Sequence, residues 1–321
     1  ELGKQFTESL KQRIEVYEGV LEGAKGLFEA SATVERDEWK AYIDALEIGK
    51  NYPGIQAIGY AEVLDQTTKN SFISAVRSEG FDDFEIIPSG DREELTSILF
   101  IEPFDARNQR AFGYDMFSEQ TRRLAMVYAR DTGESALSGK ITLLQENDED
   151  VQPGFLLYIP HYQKNQPAQT INQKRLAIDG YVYAAFRVND FMDVMLQRNS
   201  IPVSIELYDG QNFTPREESS NLLFKNYTNQ SDIDSRYQYV DSIDFGNRTW
   251  EVRYSASHDF GLDIFRRALP FAIAVLGLLL SILLFFILYS AFFQTNRAVS
   301  ISQEMTKDLS RLIYESQKRE Q

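Results

Sequence analysis

Residues 101–119 read IEPFDARNQRAFGYDMFSE. Carboxylates (Glu102, Asp105, Asp115, Glu119), guanidiniums (Arg107, Arg110) and the Asn108 amide fall among the rings of Phe104, Phe112, Tyr114 and Phe117, with no strand or helix period. Such a stretch is a loop, and loops carry function as well as plain chain reversal.

Other constellations carry less. His161 and His258 have no carboxylate spacing around them that suggests a metal site, and both are expected to be structural. The stretch GESALSGK at 133–140 has five residues rather than four between its glycines, and Ile141 stands where a phosphate-binding loop needs Ser or Thr. NDED at 147–150 reads as an acidic, solvated turn. With no nucleophile elbow and no paired-carboxylate motif, no catalytic site, metal or cofactor is expected, and an ectoenzyme has no constellation behind it.

The elements that must position these residues belong to a chain of 321 residues, 43% of them apolar, enough for one or two sizeable cores. The formal charge of −15 argues against nucleic acid as a partner. The chain has no cysteine, which removes thiol nucleophiles, zinc–thiolate sites and disulfides together.

Residues 268–293, ALPFAIAVLGLLLSILLFFILYSAFF, hold no charge. As a helix they reach roughly 39 Å, enough to cross a hydrocarbon core of ~30 Å with some tilt, and Pro270 falls in the first turn. Basic residues stand on both flanks (Arg248, Arg253, Arg266 and Arg267 before, Arg297, Lys307 and Arg311 after), so charge asymmetry does not orient the span. The first residue is Glu1, inside a helical pattern, and a hydrophobic helix upstream of it is expected.

Phe6, Leu10, Ile14, Tyr17, Leu21, Ala24 and Phe28 recur at spacings of three and four over residues 4–30, an amphipathic stalk helix. Its stripe, through Phe6, Leu10, Tyr17, Leu21 and Phe28, is expected to be a dimer seam. A second helix from Thr33 to Lys50 follows, with acids in its first turn. Strands are expected at 55–64, 84–88, 97–103, 140–146, 154–162 and 180–188, with helices at 66–79 and 119–131, the latter capped by Ser118 and closed by Gly133. A smaller unit has strands at 203–210, 238–246 and 249–257 around a polar stretch. Residues 294–321 return to helical spacing with Ile301, Met305, Leu309 and Leu312.

Residues 52–188 resemble the CHASE domain, the extracytoplasmic sensory module of histidine kinases and nucleotide cyclases. The resemblance is carried by YPGIQAIGYAEV (52–63), IEPFDARNQRAFGYDMFSE (101–119), RRLAMVYARDTGESALSGKITLLQE (122–146), PGFLLYIPHY (153–162) and DGYVYAAFRVNDFM (179–192). The tail ISQEMTKDLSRLIYESQKRE (301–320) is similar to the signalling helix that joins such a span to a downstream module. The resemblance implies an α+β architecture. Stalk helices occupy 1–50, and a membrane-distal PAS-like subdomain with an antiparallel sheet occupies 51–200. A membrane-proximal one follows at 201–260, then a transmembrane helix at 268–293 and a cytoplasmic coiled-coil helix at 294–321.

Plant cytokinin receptors share this domain, and in them the aspartate of the segment matching GYDMFSE accepts hydrogen bonds from the hormone. That match places the role on Asp115, and the leucine of the segment matching ALSGK places pocket lining on Leu137. A carboxylate sunk among Tyr114, Phe104 and Phe100 is costly unless a ligand or a neighbour satisfies it, so the alternative to a ligand anchor is a brace in which Asp115 pairs with Arg107 or Arg110. Tyr114, Phe104, Phe100, Ile141, Leu143, Phe155 and Leu157 are available to line the same pocket. The expected function is a receptor in a bacterial inner membrane, dimeric, with its sensor periplasmic. A small-molecule ligand signals through the span to a histidine kinase or diguanylate cyclase module beyond Gln321. The alternative is a structural or partner-binding ectodomain with its pocket filled by its own side chains.

Overall fold

The stripe at three–four spacing folds as one continuous helix, α1 (Leu2–Ala30). The computed structural model describes residues 1–90, 92–146, 151–199, 203–211, 215–227, 233–257 and 264–319. Phe6, Leu10, Tyr17, Leu21 and Ala24 are all 0–1% exposed, and they pack into their own chain. Phe6 meets the edge of Tyr254, Tyr17 lies against Phe186, and Phe28 stacks on Tyr60. The expected dimer seam is therefore corrected: this stripe is core. A helical period marks which face is apolar, not whether a second copy or the chain itself covers that face.

α2 (Arg36–Leu46) begins with reciprocal capping between Glu35 and Glu38, and α3 (Ile48–Asn51) completes the expected second helix. Then follow β1 (Ile55–Leu64), α4 (Lys69–Ser78) and β2 (Leu95–Glu102). Single 3-10 turns form at Asn108–Ala111 and Met116–Ser118 in the irregular loop. α5 (Gln120–Thr132) is capped by the Glu119 carboxylate, which accepts from the Thr121 and Arg122 amides, so Glu119 rather than Ser118 is the cap. Gly133 ends it in the left-handed region at φ 81°.

β3 (Ala136–Leu137), β4 (Ile141–Thr142), β5 (Pro153–Tyr162), α6 (Ile171–Ala177), β6 (Ile178–Arg187) and α7 (Val188–Asn199) complete the first part. Its strands form an antiparallel sheet in the order β2-β1-β6-β5-β3, with β4 also on β5. Residues 84–88 join it only by a single bridge from Ile87 to Tyr114, and only two residues of 140–146 pair. Pro88 follows Ile87 and supplies no amide for a ladder.

β7 (Val203–Asp209), α8 (Pro215–Asn221), β8 (Leu222–Lys225), β9 (Ile233–Asp244) and β10 (Thr249–Ser257) form the second, four-stranded sheet in the order β8-β7-β10-β9. The polar stretch within it thus holds a helix and a strand. The NDED turn and His258 lie outside the described residues. Residues 1–258 form one compact unit and 259–321 another. In the second unit α9 (Ile264–Arg319) is one helix, long and apolar enough to cross a membrane, with mean hydropathy 3.1 over its most apolar 18 residues.

Both faces of the six-stranded sheet are buried. Across one run Leu137, Leu157, Ala184 and Ile58, in register with one another and in one core with α1 and the inner face of the second sheet. Across the other run Ala136, Tyr158, Tyr183 and Gly59, beneath α5. A methyl group on Gly59 would collide with the Tyr183 ring and the Phe100 carbonyl, so glycine admits the tyrosine.

Because the stripe is core, Leu10→Ala is expected to cost about 2–5 kcal/mol of stability in the full chain in detergent micelles, read by denaturant unfolding. A loss below about 0.5 kcal/mol would return the stripe to the surface.

Candidate ligand-binding site

Asp115 is completely buried. Its segment runs as an irregular strand between β2 and residue 87: the Asp115 amide donates to the Ile87 carbonyl (2.7 Å) and the Ile98 amide to the Tyr114 carbonyl (3.1 Å). Oδ1 accepts from the Thr96 amide (2.9 Å) and the Phe117 amide (3.1 Å), capping the 3-10 turn. Oδ2 accepts from Arg92 Nε at 2.7 Å. The brace for Asp115 is thus Arg92, not Arg107 or Arg110. Arg107 uses its backbone amide on Asp105, and Arg110 Nη1 donates to the Glu146 carbonyl. Arg92 lies in a stretch without periodicity, and nothing in its spacing marks it.

The expected lining residues divide between the two faces. Ile141 and Leu143 lie in the core beneath α5 with Met116 and Phe117, and Tyr114 and Phe104 pack against it. Phe100, Leu137, Phe155 and Leu157 lie on the other face, in the core shared with α1. The structure does not bring these four together with Asp115. Neighbouring residues of a strand point to opposite faces, and those of the Asp115 side are Leu156 and Tyr158. Leu137 is instead clamped by its backbone: its amide donates to Asn247 Oδ1 (3.1 Å), and Asn247 Nδ2 donates to its carbonyl (2.7 Å). The 136–140 segment is thereby fastened to the β9–β10 turn, where Asp209 of the second sheet also takes the Lys140 amide (2.7 Å).

The face beneath α5 carries polar groups that were not anticipated. The hydroxyls of Tyr158, Tyr181 and Tyr183 are buried and have no hydrogen-bond partner among the described residues. Burial pushes all three phenols well above their ordinary range. Each unmade hydroxyl bond costs on the order of 1–3 kcal/mol. Tyr181 and Tyr183 stand two apart on β6, a spacing that places both on one face. Small residues surround them: Ala57, Ala61, Ala125, Ala129, Ala136 and Ala185. Arg122, whose guanidinium lies 5.3 Å from the Tyr114 ring centroid, closes one side. These hydroxyls lie within a packed core and lack partners there. Among the described residues no group of three or more His, Asp or Glu could hold a metal ion.

In the chain an α+β unit precedes a membrane-length helix. The CHASE domain model matches residues 32–224, from before α2 to β8. The chain belongs to the CHASE domain family, whose members are extracytoplasmic sensors. It is 26% identical over 254 residues to hybrid signal transduction histidine kinase A of Dictyostelium discoideum, a match that covers 72% of this chain and 11% of that protein. Among solved structures it is similar to an extracellular ligand-binding receptor from Desulfohalobium retbaense (13% identity, TM-score 0.49, 80% of this chain and 39% of that one). It is also similar to the periplasmic sensory domain of a Campylobacter jejuni chemoreceptor (10% identity, TM-score 0.47, 80% of this chain and 91% of that one).

If Arg92 and Asp115 brace each other, Asp115→Ala should lower stability by about 3–5 kcal/mol, because it strands a guanidinium and two backbone amides. A double-mutant cycle with Arg92→Ala, read by denaturant unfolding, is expected to couple by at least about 1 kcal/mol, and additivity within ~0.5 kcal/mol would break the pairing.

Proposed function

We propose that this chain is the sensing part of a membrane receptor that binds a small polar molecule between the six-stranded sheet and α5. The observation that supports this most is the convergence of the unpartnered Tyr158, Tyr181 and Tyr183 hydroxyls on the face where Met116 and Phe117 of the Asp115 3-10 turn pack. In this reading Asp115 is the polar anchor and Tyr114, Phe104, Ile141 and Leu143 are the apolar wall. Phe100, Leu137, Phe155 and Leu157 act from behind the sheet. The two sheets are tandem PAS-like subdomains, at 51–200 and 201–260. The protein sits in a bacterial inner membrane with the sensor periplasmic and residues after 293 in the cytoplasm. It works as a homodimer whose tail pairs as a coiled coil through Ile301, Met305, Leu309 and Leu312, all exposed on α9. The output module is a histidine kinase or diguanylate cyclase. The named relative, a hybrid histidine kinase, supports the first.

One observation favours the second reading, a partner-binding or structural ectodomain. Asp115 is already satisfied by Arg92, Thr96 and Phe117, and the tyrosines occupy their own chamber.

The two readings part in a thermal-shift screen of the full chain in lipid nanodiscs against a library of nucleobases, amino acids and small carboxylic acids. The receptor reading expects a saturable hit whose affinity falls roughly tenfold in Tyr183→Phe, which removes one hydroxyl and no volume. No saturable hit, or one indifferent to that change, would leave the ectodomain reading standing.

A further inference from the structure

A second pocket lies on the opposite face of the sheet, against the C-terminal end of α1. Its volume is about 340 Å3, and Phe28, Val34, Tyr60, Glu62, His161 and Asp179 are among its walls. Phe28 stacks on Tyr60 with ring centroids 4.1 Å apart, and its centroid lies 5.4 Å from that of His161. Asp179 reaches this face through an irregularity in the ladder. His161 pairs with Gly180 and Tyr162 with Ile178, so Asp179 is the extra residue of a β-bulge. Bulges re-aim side chains in this way, often beside functional sites. Gly180 makes room, since a methyl group there would strike the Tyr60 hydroxyl.

The charges of the pocket do not balance. On α1, Lys25 is engaged with Glu22 and Glu29. Past β5, the Lys164 ammonium, also on the pocket wall, donates to the neutral Ser31 carbonyl and sets one positive charge against the two carboxylates. Asp179 has only neutral partners, the Tyr60 hydroxyl and His161 Nδ1 at 3.5 Å, and burial holds His161 below its ordinary range and so uncharged. Glu62 makes no hydrogen bond or ion pair with any described residue, and burial followed by the Asp179 charge pushes its carboxyl up to about 7. His161 is 5% exposed, and its Nε2 is buried without a partner among the described residues. Two carboxylates and an unpaired ring nitrogen thus share a cavity walled by aromatic faces.

We propose that this pocket is a binding site for a small organic cation, an alkylammonium or quaternary ammonium, held by Glu62 and Asp179 against the rings of Phe28 and Tyr60. The carboxylates exclude an anion. Glu62, Asp179 and His161 are not grouped as a metal ion needs, and aromatic faces favour an organic ammonium over a hydrated ion. A bound cation touches Phe28 in the last turn of α1, so occupancy bears on the stalk helix itself. The site is separate from the tyrosine chamber, and its test stands or falls independently of that reading.

The test is isothermal titration of the full chain in lipid nanodiscs with choline and with putrescine at pH 8, at ionic strength matched with sodium chloride. Saturable binding of at least one is expected. It should weaken about tenfold or more in Glu62→Gln and in Asp179→Asn, and stay unchanged in Glu15→Gln on the exposed side of α1. Binding should also weaken from pH 8 to pH 6, as Glu62 takes up its proton. Glu62→Gln is expected to melt no lower than the parent at pH 8. A carboxyl raised to about 7 favours folding while protonated and loses that contribution as pH rises through 7. No saturable heat from either compound, or affinity unchanged in both pocket variants, would overturn the proposal.

Discussion

The fold depends on one constraint: the central strands β1, β5 and β6 are covered on both faces, so the parity of each residue decides which of two cores it joins. Leu157 and Ala184 belong to the core that α1 shares with the second sheet, while Tyr158 and Tyr183, one position on, belong to the chamber under α5. A slip of one residue would send Tyr158 and Tyr183 into the stalk core and Leu157 beneath α5. Register is thereby pinned. Gly59 admits Tyr183 on one face, and Gly180 admits Tyr60 on the other.

The same constraint explains what the sequence made legible. The long amphipathic helix, the strands with apolar runs and the membrane-length helix were readable because each carries a strong period or an unbroken apolar length. The irregular segment around Asp115 was recognisable as special by its composition. Its partner Arg92 was not, since pairing across residues 92 to 115 leaves no local pattern. Parity was legible in principle, as Tyr181 and Tyr183 stand two apart. Choosing Phe155 and Leu157 as pocket wall treated a strand as though size alone set its facing. The stalk stripe failed for a related reason. Period reports an apolar face and is silent on what covers it, and here the cover is Tyr254, Phe186 and Tyr60 of the same chain.

Two cores back to back on one sheet also set how binding can be felt elsewhere. The core on the stalk side is continuous from Phe28 and Tyr60 at one end of α1 to Phe6 and Tyr254 at the other, across both sheets. Close packing makes such a core respond by discrete repacking rather than by soft deformation. A molecule in the tyrosine chamber touches none of α1 and acts on it only through the sheet, or through the 136–140 segment that Asn247 and Asp209 fasten to the second sheet. Coupling by that path requires Leu137 to carry displacement along its backbone, which is where its two hydrogen bonds to Asn247 lie.

A group seated beside Phe28 needs no such relay, because it rests on the last turn of α1 directly. As proposed inputs the two faces would differ in kind. Beneath α5, rings whose hydroxyls lack partners would select by hydrogen-bond geometry. At the end of α1, the pocket lined by Glu62, Asp179 and Lys164 would select by charge. Since α1 is common to the stalk-side core of both sheets, a shift of its C-terminal turn is transmitted along a rigid helix to Thr7. There the hydroxyl lies 2.7 Å from that of Tyr254 on β10, the strand that ends the sensor unit. In the proposed reading, the continuity of α1 from Phe28 to Thr7 is the path by which occupancy of the pocket would bear on the last strand.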